Sequence, residues 1–115
     1  MSLTTKRIYT EKEMCYVQDT LYVLSGKWKL LIIFSLCNGN NRFMEIHKKI
    51  PRITTRMLSK ELKDLEANKL IKRIIHDEYP LWIEYKPTTY CLSMQPIIEE
   101  MIKWGKQHRI KIKEK

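Results

Sequence analysis

The apolar residues of this chain recur at helical spacing over most of its length and change period once. Val17, Leu21 and Leu24 stand at i, i+4 and i+7, one stripe of a short helix predicted over residues 14–24 and stopped at Ser25-Gly26. From Lys27 to Cys37 the run of Trp28, Leu30, Leu31, Ile32, Ile33, Phe34 and Leu36 leaves scarcely a polar side, which predicts a central helix covered all round. Asn38-Gly39-Asn40-Asn41 carries turn chemistry, and Phe43, Ile46 and Ile50 then return at helical spacing until Pro51. Beyond Ile53 a threonine serves as N-cap of the longest amphipathic helix. Leu58, Leu62 and Leu65 line one of its faces, and Asn68 is its expected left-handed C-cap residue.

After that helix the pattern turns to that of strands. Ile71, Ile74 and Ile75 enrich residues 70–76 in β-branched side chains, Trp82, Ile83 and Tyr85 mark 81–86, and Asp77 to Pro80 is turn material, so 70–87 is predicted as a hairpin. Pro96, tolerated in a first turn, opens a last helix over 94–109, with Ile97, Met101 and Trp104 in one row beside Ile98, Ile102 and Gly105. A short helix, a tight connection, a longer helix and a hairpin form the winged helix-turn-helix layout. In it the second helix of the pair, here within residues 42–68, enters the major groove of duplex DNA. The expected fold class is α+β, mainly helical, as a single domain over 1–115.

Charge sharpens this picture. Lys and Arg number 22 against 13 Asp and Glu, a formal +9. Such an excess draws polyanions, nucleic acid or acidic membrane surfaces, besides serving solubility. At about 100° per residue the long helix turns Leu58, Leu62 and Leu65 to one side and Arg56, Ser59, Lys60 and Lys63 to the other. Arg56 is the expected base reader, because arginine bonds a guanine edge through two parallel N–H groups; Ser59, Lys60 and Lys63 take phosphates or bases. Thr54 and Thr55 stand at the helix N-terminus, where hydroxyls and free N–H groups suit a phosphate, and Arg52 precedes them. Arg42, Lys48 and Lys49 on the preceding helix are candidates for backbone contact. Lys72 and Arg73 lie at the base of the wing, whose tip bears Asp77 and Glu78, which phosphates repel. Glu61, Asp64 and Glu66 are spaced to pair with the helix lysines and dilute the patch.

Several blocks carry a resemblance. Cys15-Tyr16-Val17, Gly26-Lys27-Trp28-Lys29 and Arg42-Phe43-x-Glu45-Ile46 are similar to C-P-V, G-K-W and R-F-x-E-L. Ile53-Thr54-x-x-Met57-Leu58-x-x-x-Leu62-x-x-Leu65-Glu66 is similar to a recognition helix I-S-x-x-x-L-x-x-x-L-x-x-L-E, Ile83-Glu84-Tyr85 to V-E-Y, and Pro96 and Trp104-Gly105 to a last helix. In this order they resemble the HxlR family of bacterial winged helix-turn-helix regulators, related in architecture to MarR-type repressors. Tyr16 stands where the family has Pro, Lys69 where it has Gly, and Pro87 and Cys91 interrupt its Y-x-L-T-x-x-G stretch.

The resemblance implies a double-stranded-DNA-binding transcription regulator. It implies a homodimer joined by N- and C-terminal helices on an inverted-repeat operator. Val17 and Leu21 on the first helix, with Ile97, Ile98, Met101, Ile102 and Trp104 on the last, supply the apolar surface such a dimer interface requires. Some family members sense electrophiles or oxidants through a cysteine near the N-terminus, and Cys15 occupies that position, which makes an oxidant or small molecule a candidate effector. Cys15 is expected to precede the first helix, with Lys12, Lys27 and Lys29 near in sequence, conditions that favour a thiolate.

Other classes find little support. Cys15, Cys37 and Cys91 are odd in number and far apart, which fits neither a disulfide framework nor a zinc clip, and Cys37 reads as a core residue. His47, His76 and His108 lack partners at ligand spacing, so no metal is expected. With three glycines and no nucleophile elbow, phosphate loop or paired carboxylates, neither catalysis nor a cofactor is expected. No apolar run of about 18 residues occurs and residues 1–13 are polar, from which a cytoplasmic protein without membrane span or signal peptide is expected. One competing reading stays open: winged-helix domains also serve as interaction modules, and the same basic face suits an acidic protein or RNA.

Overall fold

The computed structural model describes residues 7–115. Helices α1 (Glu11–Leu24), α2 (Lys29–Cys37), α3 (Phe43–Lys49) and α4 (Thr55–Ala67) precede an antiparallel hairpin of β1 (Ile71–His76) and β2 (Trp82–Pro87). A single turn, α5 (Thr89–Leu92), leads into α6 (Gln95–Lys113). The strands pair from Ile71 opposite Pro87 to His76 opposite Trp82. This is the mainly helical winged helix-turn-helix anticipated from the pattern.

The core forms where the stripes meet. Ile32 and Ile33 of α2, Ile46 of α3, Leu58, Leu62 and Leu65 of α4, and Leu70 and Ile71 are each no more than 2% exposed. Burial of side chains this size contributes about 1.5–3 kcal/mol apiece. The leucine stripe of α4 therefore fixes which of its faces looks outward.

Several local expectations are corrected. Helix α1 begins at Glu11, ahead of residue 14, because the Thr10 hydroxyl accepts the Glu13 N–H at 3.0 Å while the Glu13 carboxylate accepts the Thr10 N–H at 3.0 Å. This reciprocal cap satisfies two otherwise orphaned donors. Cys15 thus lies inside the helix and does not precede it.

The α4 C-terminus is the second correction. Asn68 has φ −86 and is not left-handed. The left-handed residue is Lys69, at φ 64. Its N–H bonds the Glu66 carbonyl at 2.9 Å and the Leu70 N–H bonds the Leu65 carbonyl at 3.0 Å. That pair of bonds is a Schellman closure, which wants a residue without Cβ at this position.

Third, α2 is not covered all round. Ile32, Ile33, Ser35 and Leu36 are buried, but Leu31 and Phe34 are 44% and 37% exposed and Cys37 is exposed as well. Only one side of α2 meets α3 and α4. At the far end, α6 runs past residue 109 to Lys113 with no buried residue, although Ile98 packs against the core. The substitutions at the wing exit are absorbed locally: the Thr88 N–H bonds the Leu70 carbonyl, its hydroxyl accepts the Cys91 N–H, and Cys91 is buried.

Candidate nucleic-acid interface

Helix α4 starts at Thr55 because the hydroxyl of its N-cap, Thr54, accepts the Met57 N–H at 3.1 Å, which leaves the hydroxyl proton free to donate. Arg52, Thr54, Thr55, Arg56, Lys60 and Lys63 are all exposed on or beside this helix, and Ser59 is half-buried. Arg52 holds a left-handed backbone, φ 72. The free N–H groups of the first turn and the positive end of the helix dipole lie between these cations.

Two of the three acidic residues of α4, Glu61 and Asp64, are drawn towards α2, whereas Glu66 stays exposed beside Lys63. Glu61 accepts from the Lys29 ammonium of α2 at 2.6 Å, with side chains only 15% and 14% exposed, and Lys29 also lies 3.7 Å from Asp64. Lys29 is thereby committed to α4. Lys60 pairs with Asp64 at 3.3 Å on the surface, a contact that salt screens readily.

The two basic residues of β1 diverge. Arg73 lines a cleft with Ser59, Lys63, Glu66 and Tyr85, and so belongs with the outward face of α4. Lys72 is turned to the other face of the hairpin, opposite Lys86.

Arg42 caps α3. The Glu45 carboxylate accepts the backbone N–H groups of Asn41 and Arg42 at 3.1 and 3.2 Å, which is what glutamate three residues after arginine accomplishes in R-F-x-E. The Arg42 guanidinium lies 4.2 Å over the Trp82 ring. Trp82 in turn stacks on His76, with centroids 4.2 Å apart and planes 12° apart. His76 Nε2 meets the Glu84 carboxylate at 2.8 Å, and the Asn41 side-chain amide donates to the same carboxylate at 3.5 Å. The His76 hydrogen bond, against partial desolvation, holds the Glu84 carboxyl below the usual glutamate range. Asn41, His76, Trp82 and Glu84 escape a reading by composition. Their signal was the strand alternation, which sets residues 76, 82 and 84 on one face of the hairpin.

Residues 23–113 match the HxlR-like helix-turn-helix family. The chain belongs to that family. Among its relatives, the uncharacterized HTH-type transcriptional regulator YybR of Bacillus subtilis (strain 168) is 38% identical over 104 residues, covering 90% of this chain and 83% of YybR. HxlR-type architecture is equally plain in solved structures. The redox regulator HypR in its reduced form superposes with a TM-score of 0.75 at 35% identity, over 82% of this chain and 93% of HypR. The reduced form of the regulator YodB from B. subtilis gives 0.75 at 32% identity, over 87% of this chain and 94% of YodB.

Against this family background the remaining surface has a pattern. Val17 and Leu21 on α1 are 58% and 56% exposed, and Ile97, Met101, Ile102 and Trp104 on α6 are 43%, 47%, 46% and 65% exposed. Leu31 and Phe34 of α2, unforeseen in the sequence, extend the set of exposed apolar residues. Cys15 is exposed on α1, while Cys37, expected in the core, is exposed at the end of α2. Burial, and secondarily Cys37, push the Cys91 thiol up. Among the described residues no group of three or more His, Cys, Asp or Glu is placed to hold a metal ion, and no single helix is long and apolar enough to cross a membrane.

Proposed function

We propose that the protein is a sequence-specific, double-stranded-DNA-binding transcription regulator acting in the cytoplasm as a homodimer on an inverted repeat, without catalytic activity. One observation carries the reading: α4 buries its leucine stripe and leaves Arg52, Arg56, Lys60 and Lys63 exposed beside an open helix N-terminus. In this reading Arg56 and Ser59 meet base edges in the major groove. Arg52, Thr54, Thr55, Lys60, Lys63 and Arg73 hold the adjoining phosphates, and Arg42 and Lys72 hold the backbone from α3 and the wing. A second copy covers the exposed apolar residues of α1 and α6, which sets the two recognition helices about one duplex turn apart.

The test is the double variant Arg56→Ala with Lys60→Ala, titrated against duplex fragments selected from genomic DNA. Loss of the sequence preference with an unchanged circular-dichroism spectrum supports the reading, since each bidentate base contact discriminates by about 1–3 kcal/mol. Specific binding retained by that variant refutes the assignment. Binding to an acidic protein or to RNA in preference to duplex favours the interaction-module alternative.

HypR is named a redox regulator and is similar to this chain, and Cys15 is exposed on α1. On these grounds an oxidant or electrophile acting at Cys15 is the proposed effector chemistry. Iodoacetamide labelling of Cys15 no faster than that of a free-thiol peptide at neutral pH removes its chemical basis.

A further inference from the structure

The hairpin is joined to the helix-turn-helix by side chains as well as by its core strand ends. The Tyr85 N–H bonds the Asn41 carbonyl at 2.8 Å, so β2 lies between β1 on one side and the segment leading into α3 on the other. Trp82 stands in this middle strand. Its ring is flanked by the His76 imidazole reaching from β1 and by the Arg42 guanidinium reaching from the start of α3, each at 4.2 Å. Glu84, two residues along the same face, holds His76 at 2.8 Å and takes the Asn41 amide at 3.5 Å.

An arginine on an exposed helix terminus ordinarily loses side-chain freedom when it grips a phosphate, and that entropy weakens the contact. Cation–π attraction to the Trp82 ring limits this freedom beforehand. The guanidinium N–H groups are the donors that bond phosphate oxygens. Arg42 is exposed, and among the described residues no carboxylate forms a salt bridge with it. Its charge is therefore oriented by an aromatic ring without being neutralised.

We propose that Trp82 is a positioning residue: the His76–Trp82–Arg42 stack fixes the Arg42 guanidinium for a backbone phosphate, so that the wing determines the strength of a contact made from α3. This inference rests on the DNA-binding reading above. It also gives the wing a role that its acidic tip, Asp77 and Glu78, does not need to fill by touching DNA.

The experiment is a double-mutant cycle of Arg42→Ala and Trp82→Ala on a mixed-sequence duplex of about 30 base pairs, with binding measured across a series of salt concentrations. Arg42→Ala lowers the slope of log affinity against log salt by about 0.9, the value of one released counterion. Trp82→Ala weakens binding by roughly 2- to 12-fold, the cost of immobilising one long side chain on binding, but has no further effect once Arg42 is absent. Trp82→Phe retains a π face and recovers most of the affinity, whereas Trp82→Leu keeps apolar bulk without it and does not. The last pair also serves if Trp82→Ala fails to fold.

An unchanged slope in Arg42→Ala, additive losses in the cycle, or equal binding by the Phe and Leu variants each overturn the inference while leaving the DNA-binding reading intact. A wild-type chain with no salt-dependent affinity for duplex overturns both.

Discussion

Two basic residues with left-handed backbones bracket α4, Arg52 at φ 72 before it and Lys69 at φ 64 after it. For an L-residue this conformation costs about 1–2 kcal/mol, because Cβ crowds the following carbonyl. Glycine removes that cost and returns about 0.4–1 kcal/mol through a freer unfolded chain. Lys69→Gly is therefore expected to stabilise the fold by about 0.5–1 kcal/mol, raising the melting midpoint by about 2–6 °C. Its two closing bonds, Lys69 N–H to Glu66 and Leu70 N–H to Leu65, are made by backbone and survive the change. Arg52→Gly relieves the same strain and gains similarly, but it removes a cation beside the open end of α4, so its duplex affinity and salt slope fall, the slope by about one. Urea unfolding at fixed protomer concentration and duplex titration separate the two quantities. On the DNA-binding reading proposed above, strain at Arg52 places a cation beside a phosphate, whereas strain at Lys69 has no such compensation. A Lys69→Gly protein less stable than the parent refutes the left-handed closure, and an Arg52→Gly protein of undiminished affinity refutes the phosphate role.

Other outcomes follow from burial and titration. Leu62 is 2% exposed, and Leu62→Ala is expected to lower stability by about 2–4 kcal/mol; a loss under about 1 kcal/mol in urea unfolding contradicts its place in the core. The folded-state pKa of Glu84 is depressed, so the stability it contributes is present above the range near pH 4 where a free glutamate titrates and disappears as pH falls through the lowered value. Glu84→Gln should flatten this part of the acid limb, and urea midpoints measured from neutrality downward that run parallel to the parent's count against the His76 pairing. Cys91 is buried with a raised pKa, so iodoacetamide should modify it more slowly than Cys15 or Cys37 in the native protein and at comparable rates in urea. Mass-spectrometric labelling kinetics decide this, and equal native rates would falsify the burial.

Apolar spacing made the elements legible even in α1 and α6, whose stripes stay exposed, but it made the outward face legible only where the stripe is buried within the chain. Leu58, Leu62 and Leu65 repeat at i, i+4 and i+7, the core they enter is supplied by α2 and α3, and the outward set of Arg56, Lys60 and Lys63 follows by geometry. Helix ends are less legible because apolar spacing does not mark them. Thr10-x-x-Glu13 is a capping signature lying outside the stripe, and the residue that closes α4 is a lysine in a conformation that sequence preference assigns to Gly or Asn. The Arg42–Trp82–His76 stack joins positions far apart along the chain. It becomes visible only once the register opposing His76 to Trp82 is known, since a slip of one residue puts these two rings on opposite faces of the hairpin.

The exposed side of α2 has a different origin. An all-apolar helix states that both its sides leave water, but not which chain covers the second side. Here the inner side meets α3 and α4 while Leu31 and Phe34 stay exposed, and α6 carries Ile97, Met101, Ile102 and Trp104 with none of its residues buried. Exposed large apolar residues on three helices at once are more than a small monomer ordinarily presents. A chain of this length removes only about two thirds of its surface from water by folding alone. The composition that made α2 look like an interior helix is thus better matched to an assembly than to one copy. The exposed apolar surfaces lie on α1, α2 and α6, and the basic face of α4 stands apart from them because the leucine stripe beneath it is buried in the core, so the proposed dimer leaves that face open to duplex.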